Sequence, residues 1–204
     1  MKRYVKYLVI AGVFLFMVHN ANAAVIIDTG PGPNAQEGWS LDANQWLAAE
    51  FTLTDDYVIT DIDAWLYPNS GSLTYAIYGD GTGEVPDTTD ERYSTPFVIS
   101  GSAMTPGWYG PSSLAWNLPA GTYWLALEVR TGSSYSGSVP HPATTPLSNE
   151  AYTNNGSWHE YDALDIGVRI YGNPQSASVP EPSTMLLLGL GLMGLAGVRR
   201  KFNK

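Results

Sequence analysis

The stretch Val58-Ile59-Thr60-Asp61-Ile62-Asp63-Ala64-Trp65-Leu66-Tyr67 alternates with a period of two. Val58, Thr60, Ile62, Ala64 and Leu66 fall on one side of an extended chain, and Ile59, Asp61, Asp63, Trp65 and Tyr67 on the other. Successive side chains of a β-strand point to opposite faces, so this alternation describes a strand with one face against a core. The pattern continues outward. Residues 122–130 set Tyr123, Leu125, Leu127 and Val129 opposite Trp124, Ala126, Glu128 and Arg130, and residues 164–171 set Leu164, Ile166, Val168 and Ile170 opposite Asp165, Gly167, Arg169 and Tyr171. Leu47, Phe51 and Leu53, then Leu73, Tyr75 and Ile77, repeat it, with shorter candidates at 97–99 and 114–118. Turn clusters separate these runs: Pro68-Asn69-Ser70-Gly71, Gly79-Asp80-Gly81-Thr82-Gly83 and Leu118-Pro119-Ala120-Gly121. No window carries a 3.6-residue stripe. Seven or eight antiparallel strands, each with one buried face, predict an all-β sandwich; a jelly roll is the expected arrangement and an immunoglobulin fold the alternative.

The two ends of the 204-residue chain read differently. At the start, Lys2, Arg3 and Lys6 precede an unbroken apolar run from Leu8 to Val18, and Ala21-Asn22-Ala23 follows with small residues at both cleavage-determining positions. Eleven helical residues cover roughly 16 Å, about half of a ~30 Å hydrocarbon core. Residues 1–23 are therefore expected to be a secretory signal peptide cleaved after Ala23. At the far end, Pro180-Glu181-Pro182 precedes an apolar Leu/Gly-rich segment, 185–198, and then Arg199-Arg200-Lys201. Fourteen helical residues reach only ~21 Å, a short transmembrane helix helped by snorkelling basic side chains. The basic cluster is expected on the cytoplasmic side, leaving the preceding residues outside. Gly189, Gly191 and Gly194 fit the spacing of a dinucleotide-binding loop, but the strand, helix and distal acid that such a loop needs are missing around them.

Taken together, Pro180-Glu181-Pro182, the short Gly/Leu-rich segment and the terminal Arg199-Arg200-Lys201 resemble the PEP-CTERM sorting signal of exported proteins in Gram-negative bacteria. The resemblance covers residues 179–204. It implies recognition and processing by a membrane-embedded exosortase and an association with exopolysaccharide-producing envelopes; it implies an address and no activity. More loosely, Trp46-Leu47-Ala48-Ala49-Glu50-Phe51-Thr52-Leu53, Ile62-Asp63-Ala64-Trp65-Leu66-Tyr67, Ile77-Tyr78-Gly79-Asp80 and Leu118-Pro119-Ala120-Gly121-Thr122-Tyr123-Trp124-Leu125 resemble choice-of-anchor jelly-roll ectodomains. That likeness implies the same sandwich fold.

Between the ends, residues 24–178 have the size of one domain. They hold three arginines (Arg92, Arg130, Arg169) against 18 acids, net −15, and no lysine lies between Lys6 and Lys201. Nucleic acid, whose binding requires cations to displace counterions, is excluded as a partner by this balance; neutral glycans and divalent cations are compatible with it. The absence of cysteine excludes disulfides, thiolate metal sites and a cysteine nucleophile.

Three kinds of site are conceivable on such a domain. A sugar-binding face would draw on Trp65, Tyr67 and Trp124 as flat apolar surfaces, with Asp61, Asp63 and Arg130 directing hydrogen bonds to hydroxyls. Tyr171, Glu128 and Arg169 lie beside them in the alternation, and Trp108-Tyr109 and Trp158-His159 are alternative binding tips. A Ca²⁺ site would draw on Asp80, Thr82, Glu84 and Asp87, whose oxygens alternate through a Gly-rich turn, although the EF-hand template finds Val85 where it needs Gly. For hydrolysis, Asp61 and Asp63 are a possible carboxylate pair, their Cα atoms ~6.5–7 Å apart along a strand, and His159 with Asp162 is the only suggestion of a triad; no Gly-x-Ser-x-Gly elbow occurs. Asn155-Gly156-Ser157 matches a glycosylation sequon that bacterial export would leave empty. The expectation is thus a non-catalytic exported surface or matrix protein. A carbohydrate-binding module, with or without Ca²⁺, is the alternative, and a secreted hydrolase the third reading.

Overall fold

The period-two stretches form strands. The computed structural model describes residues 23–69, 71–100, 105–154, 156–175 and 187–191, and the chain divides into two units, 1–173 and 174–204. The strands are β1 (Ala24–Asp28), β2 (Trp39–Leu41), β3 (Leu47–Leu53), β4 (Tyr57–Pro68), β5 (Gly71–Asp80), β6 (Pro86–Ile99), β7 (Gly107–Tyr109), β8 (Trp116–Leu118), β9 (Gly121–Glu128), β10 (Gly137–Val139), β11 (Glu150–Asn154), β12 (Ser157–Glu160) and β13 (Val168–Pro174). One sheet runs β1-β13-β4-β10-β2, with β7 and β8 also pairing β4; the other runs β12-β11-β3-β9-β5-β6. The pairings are antiparallel, and the chain changes sheet at most of its connections. This is an all-β sandwich.

Its core lies where the inner faces meet. Ile62, Ala64, Leu66, Val168 and Ile170 of the first sheet pack with Leu47, Phe51, Leu73, Tyr75, Leu125 and Leu127 of the second, all of them buried. Burying such side chains at ~25 cal/mol per Å² of apolar surface is the main force holding the sheets together.

The alternation in β4 is not continuous. Ile62, Ala64 and Leu66 are buried as expected, but so is Ile59, while Val58 and Thr60 are only half-buried. The phase reverses across Thr60–Asp61, where the partner strand is broken. β8 pairs with Tyr57–Ile59 and β7 with Ala64–Leu66. Between them, Ile62 N–H donates to the Pro111 carbonyl at 3.1 Å and Leu114 N–H to the Thr60 carbonyl at 2.7 Å. A Cβ on Gly110 would lie 1.8 Å from the Ile62 carbonyl oxygen, so only glycine lets the two backbones approach this closely.

Two further boundaries differ from the sequence reading. The Gly-rich turn that carries the expected ligands from Asp80 to Asp87 is shorter than read: β6 begins at Pro86 and puts Asp87, Asp90 and Glu91 on a strand. β13 begins at Val168, and Leu164 and Ile166 are buried in the segment before it.

Of the second unit, residues 174–175 and 187–191 are described; 187–191 are helical, with Leu187, Leu188 and Leu190 exposed. Among the described residues no helix is long and apolar enough to cross a membrane. The expected segment 185–198 lies mostly outside them, as do Pro180, Glu181, Pro182, Arg199, Arg200 and Lys201. The expected signal peptide lies outside them too, including Ala21, except for Ala23.

Candidate functional site

The six residues expected to form a sugar-binding face divide between the two sheets. Asp61, Asp63, Trp65 and Tyr67 stand on β4; Trp124 is on β9, in the other sheet, and Arg130 follows just after it. On β4, Asp61 and Asp63 line an open cleft of about 440 Å³ with Ala23, Pro111, Ser112 and Tyr171. Asp61 accepts a long hydrogen bond from Ser113 N–H at 3.4 Å. Partial burial and the neighbouring Asp61 charge push the Asp63 carboxyl up, with Arg169 acting against them. Trp65 does not join this cleft. Its side chain packs over Gly32 and Gly167, where added Cβ atoms would fall 3.1 and 2.7 Å from it, and its ring meets Trp108 edge to face at 5.3 Å. Trp108 is covered in turn by the Arg169 guanidinium at 4.0 Å, and Arg169 is held by Asp28 at 3.0 Å. Tyr67 is half-buried and pairs with Ser138 of β10.

Trp124 corrects the expectation most sharply: its exposure is 0%. On the outer face of the second sheet it packs with Ala48, Ala76, Tyr78, Ala126 and Ala151, and Val85 and Trp158 lie against this cluster. Its indole N–H donates to Asp80 at 3.2 Å. A ring enclosed this way offers no surface to a sugar. Arg130 is similarly engaged. Nε donates to Glu128 at 2.5 Å, and NH2 donates to Glu91 at 2.9 Å and to the Tyr78 hydroxyl at 3.0 Å. Tyr78 in turn donates to Glu128 at 2.9 Å. Burial raises the Glu128 carboxyl, and the bonds from Arg130 and Tyr78 counter it. Arg130 is the counter-ion of a buried acid.

The expected Ca²⁺ ligands also have separate occupations. Asp80 accepts the Trp124 indole; Asp87 accepts Thr89 N–H at 2.9 Å and Thr89 Oγ1–H at 2.6 Å, bonds that hold its carboxyl low. Glu84 shares a hydrogen bond with Glu160, whose carboxyl it pushes up. Asp80, Thr82 and Asp87 border an open depression of about 310 Å³ from which Glu84 is absent. Among the described residues no three His, Cys, Asp or Glu side chains converge on a metal position.

A different place gathers aromatic rings. β2 ends the first sheet and β11-β12 end the second. Where these edges meet, Trp39, Gln45, Tyr152 and Tyr161 line a cleft of about 270 Å³. Tyr161 stands edge-on to Trp39 at 5.3 Å and to Tyr152 at 5.9 Å. His141 lies 5.4 Å from Trp39, and His159 lies 5.6 Å from Tyr152. The expected tip at Trp158-His159 thus splits: Trp158 packs over the Trp124 cluster, and His159 flanks the cleft. At the other tip, Tyr109 packs against the main core.

Backbone contacts position this cleft. Asp42 Oδ1 accepts the Asn44 and Gln45 N–H groups at 2.8 and 3.2 Å, closing the turn that presents Gln45. Tyr161 N–H donates to the Glu150 carbonyl at 2.8 Å. The Glu150 side chain, fully buried, accepts Ile166 N–H at 2.9 Å and also Asp165 N–H, so the segment from 161 to 166 is fastened to β11 by a single residue. Burial pushes the Glu150 carboxyl up to about 7, against the pull of the backbone donors. Trp39, Tyr152 and Tyr161 sit in three short segments over a hundred residues apart in part, none with a long alternating run, so no local signal marks them as neighbours.

Residues 178–201 match the family described as the PEP-CTERM protein-sorting motif. No curated protein matches the chain. The motif marks an exported protein that an exosortase-type system sorts, by way of the membrane, to the cell envelope or surface.

Proposed function

We propose that the chain is a non-catalytic β-sandwich protein displayed at the cell surface or held in the exopolysaccharide, where its ectodomain contacts envelope glycans. Residues 1–23 serve as its cleaved leader, and 185–198 anchor it in the membrane until the tail is processed. The observation that carries this reading is the sorting motif at 178–201, placed directly after an acidic sandwich. The net charge of −15 on residues 24–178 favours a soluble, neutral-partner role outside the membrane. The non-catalytic part is supported by how the acids are used. Glu128 and Glu150 are buried and bonded to their own chain. Asp61 and Asp63 stand side by side on one strand, whereas glycoside hydrolysis needs two carboxyls facing each other across a bound sugar.

The test is to replace Pro180, Glu181 and Pro182 together by alanine in a host with the sorting system. The unaltered chain is expected in the outer envelope or medium in a shortened form. The variant should remain full-length in the inner membrane. Equal distribution of the two would remove the sorting reading.

A further inference from the structure

We propose that the cleft between the sheet edges, lined by Trp39, Gln45, Tyr152 and Tyr161, binds a pyranose ring of a neutral hexose polysaccharide. The proposal takes its ligand class from the surface-display reading above and adds the site.

Four observations carry it. First, three aromatic side chains converge on one cleft: Trp39 and Tyr152 each meet Tyr161 edge to face, at 75° and 88°, and the Tyr161 ring stays open to solvent. A free aromatic face presents a flat apolar surface with a negative quadrupole, which suits the slightly positive axial C–H groups of a pyranose. Second, polar groups stand at the rim. The Gln45 amide carries both a donor and an acceptor, as a vicinal diol does, and Tyr161 is 42% exposed. Third, the volume of about 270 Å³ is below the ~300–1,000 Å³ typical of cofactor and drug-sized sites, room for one ring of a chain that continues outside. Fourth, charge selects among sugars. With three arginines against 18 acids the domain repels a polyuronate, and none of those arginines lines this cleft.

The cleft also has a fixed frame. β11 supplies Tyr152 and, through the Glu150 carbonyl, holds the backbone of Tyr161; the turn at Asp42 holds Gln45. The site is therefore pre-formed, and little ordering entropy opposes binding.

The experiment is calorimetric titration of the purified full chain in mild detergent with cellohexaose, mannohexaose and an oligoguluronate. At least one neutral probe should bind and the uronate should not. Tyr161→Ala and Gln45→Ala should each weaken binding fivefold or more, while Tyr161→Phe keeps most of it because the ring remains. Trp108→Ala, outside the cleft and packed on Trp65 and Arg169, should leave affinity unchanged. No binding of either neutral probe at 10 mM, in the range of roughly −3 kcal/mol, would overturn the proposal. So would preference for the uronate, or binding insensitive to both cleft variants. Because this measurement uses purified protein, its failure leaves the sorting reading intact, and mis-sorting of the Pro-Glu-Pro variant leaves this site intact.

Discussion

Glu128 is completely buried in the sheet, and a lone carboxylate there would cost several kcal/mol to desolvate. It is stable because Arg130 and Tyr78 direct charged and neutral donors at its two oxygens, with Glu91 sharing the same guanidinium. Removing Arg130 leaves the acid without its counter-ion. Arg130→Ala should cost about 2–4 kcal/mol in urea unfolding, the lower part of the range for such pairs because a third of the arginine side chain meets solvent. Adding Glu128→Gln should recover part of the loss, since the double variant no longer buries a charge. Trp124 makes the complementary point. Truncation to alanine opens a cavity under Val85 and Trp158 and should cost ~3–5 kcal/mol. Its effect on sugar affinity should be absent in the fraction that remains folded. A loss below ~1 kcal/mol would mean that the ring is not enclosed.

Among the elements, β11 links stability to pH. Its first residue, Glu150, has its carboxyl raised to about 7 by burial, against about 4.5 for an exposed glutamate. Between these values the folded chain holds a proton that the unfolded chain has released, so stability falls as pH rises from about 4.5 to about 7 and levels off above it. Glu150→Gln should flatten that slope in thermal unfolding measured across the window. An unchanged slope would assign it to other acids whose carboxyls are also raised, such as the buried Glu128 and the half-buried Asp63. Asp28 acts in the opposite sense. Burial tends to raise it, but the bonds from Arg169 and from Gly30 N–H prevail, and its contribution is lost as pH falls. The elements also show the limits of periodicity. β3, β4, β5 and β9 were legible because each runs long enough for the alternation to repeat. β2, β7 and β10 have three residues apiece, too few for any period to register, while β8, equally short, falls within the candidate at 114–118. In β4 the alternation was legible and its phase was not, because the reversal at Thr60–Asp61 depends on where β7 gives way to β8.

At the scale of the whole molecule, the excess of acids in residues 24–178 sets up self-repulsion in the folded state. Raising NaCl from about 10 to about 150 mM shortens the Debye length from ~30 to ~8 Å and should raise the unfolding midpoint by a few degrees. A drop would show that ion pairs such as Arg130 with Glu91 outweigh the repulsion. The amino-acid sequence on its own determined the all-β class, the acidic surface and the sorting address, because each is written in residues adjacent along the chain. Alternation states that two side chains point to opposite faces. It does not state what later segment covers either face. Only tertiary packing enclosed Trp124, when the turn before β6 and the β11-β12 hairpin folded over it. The same packing put Trp39 against Tyr161 across two sheet edges, since burial and proximity between distant segments belong to the assembled sandwich.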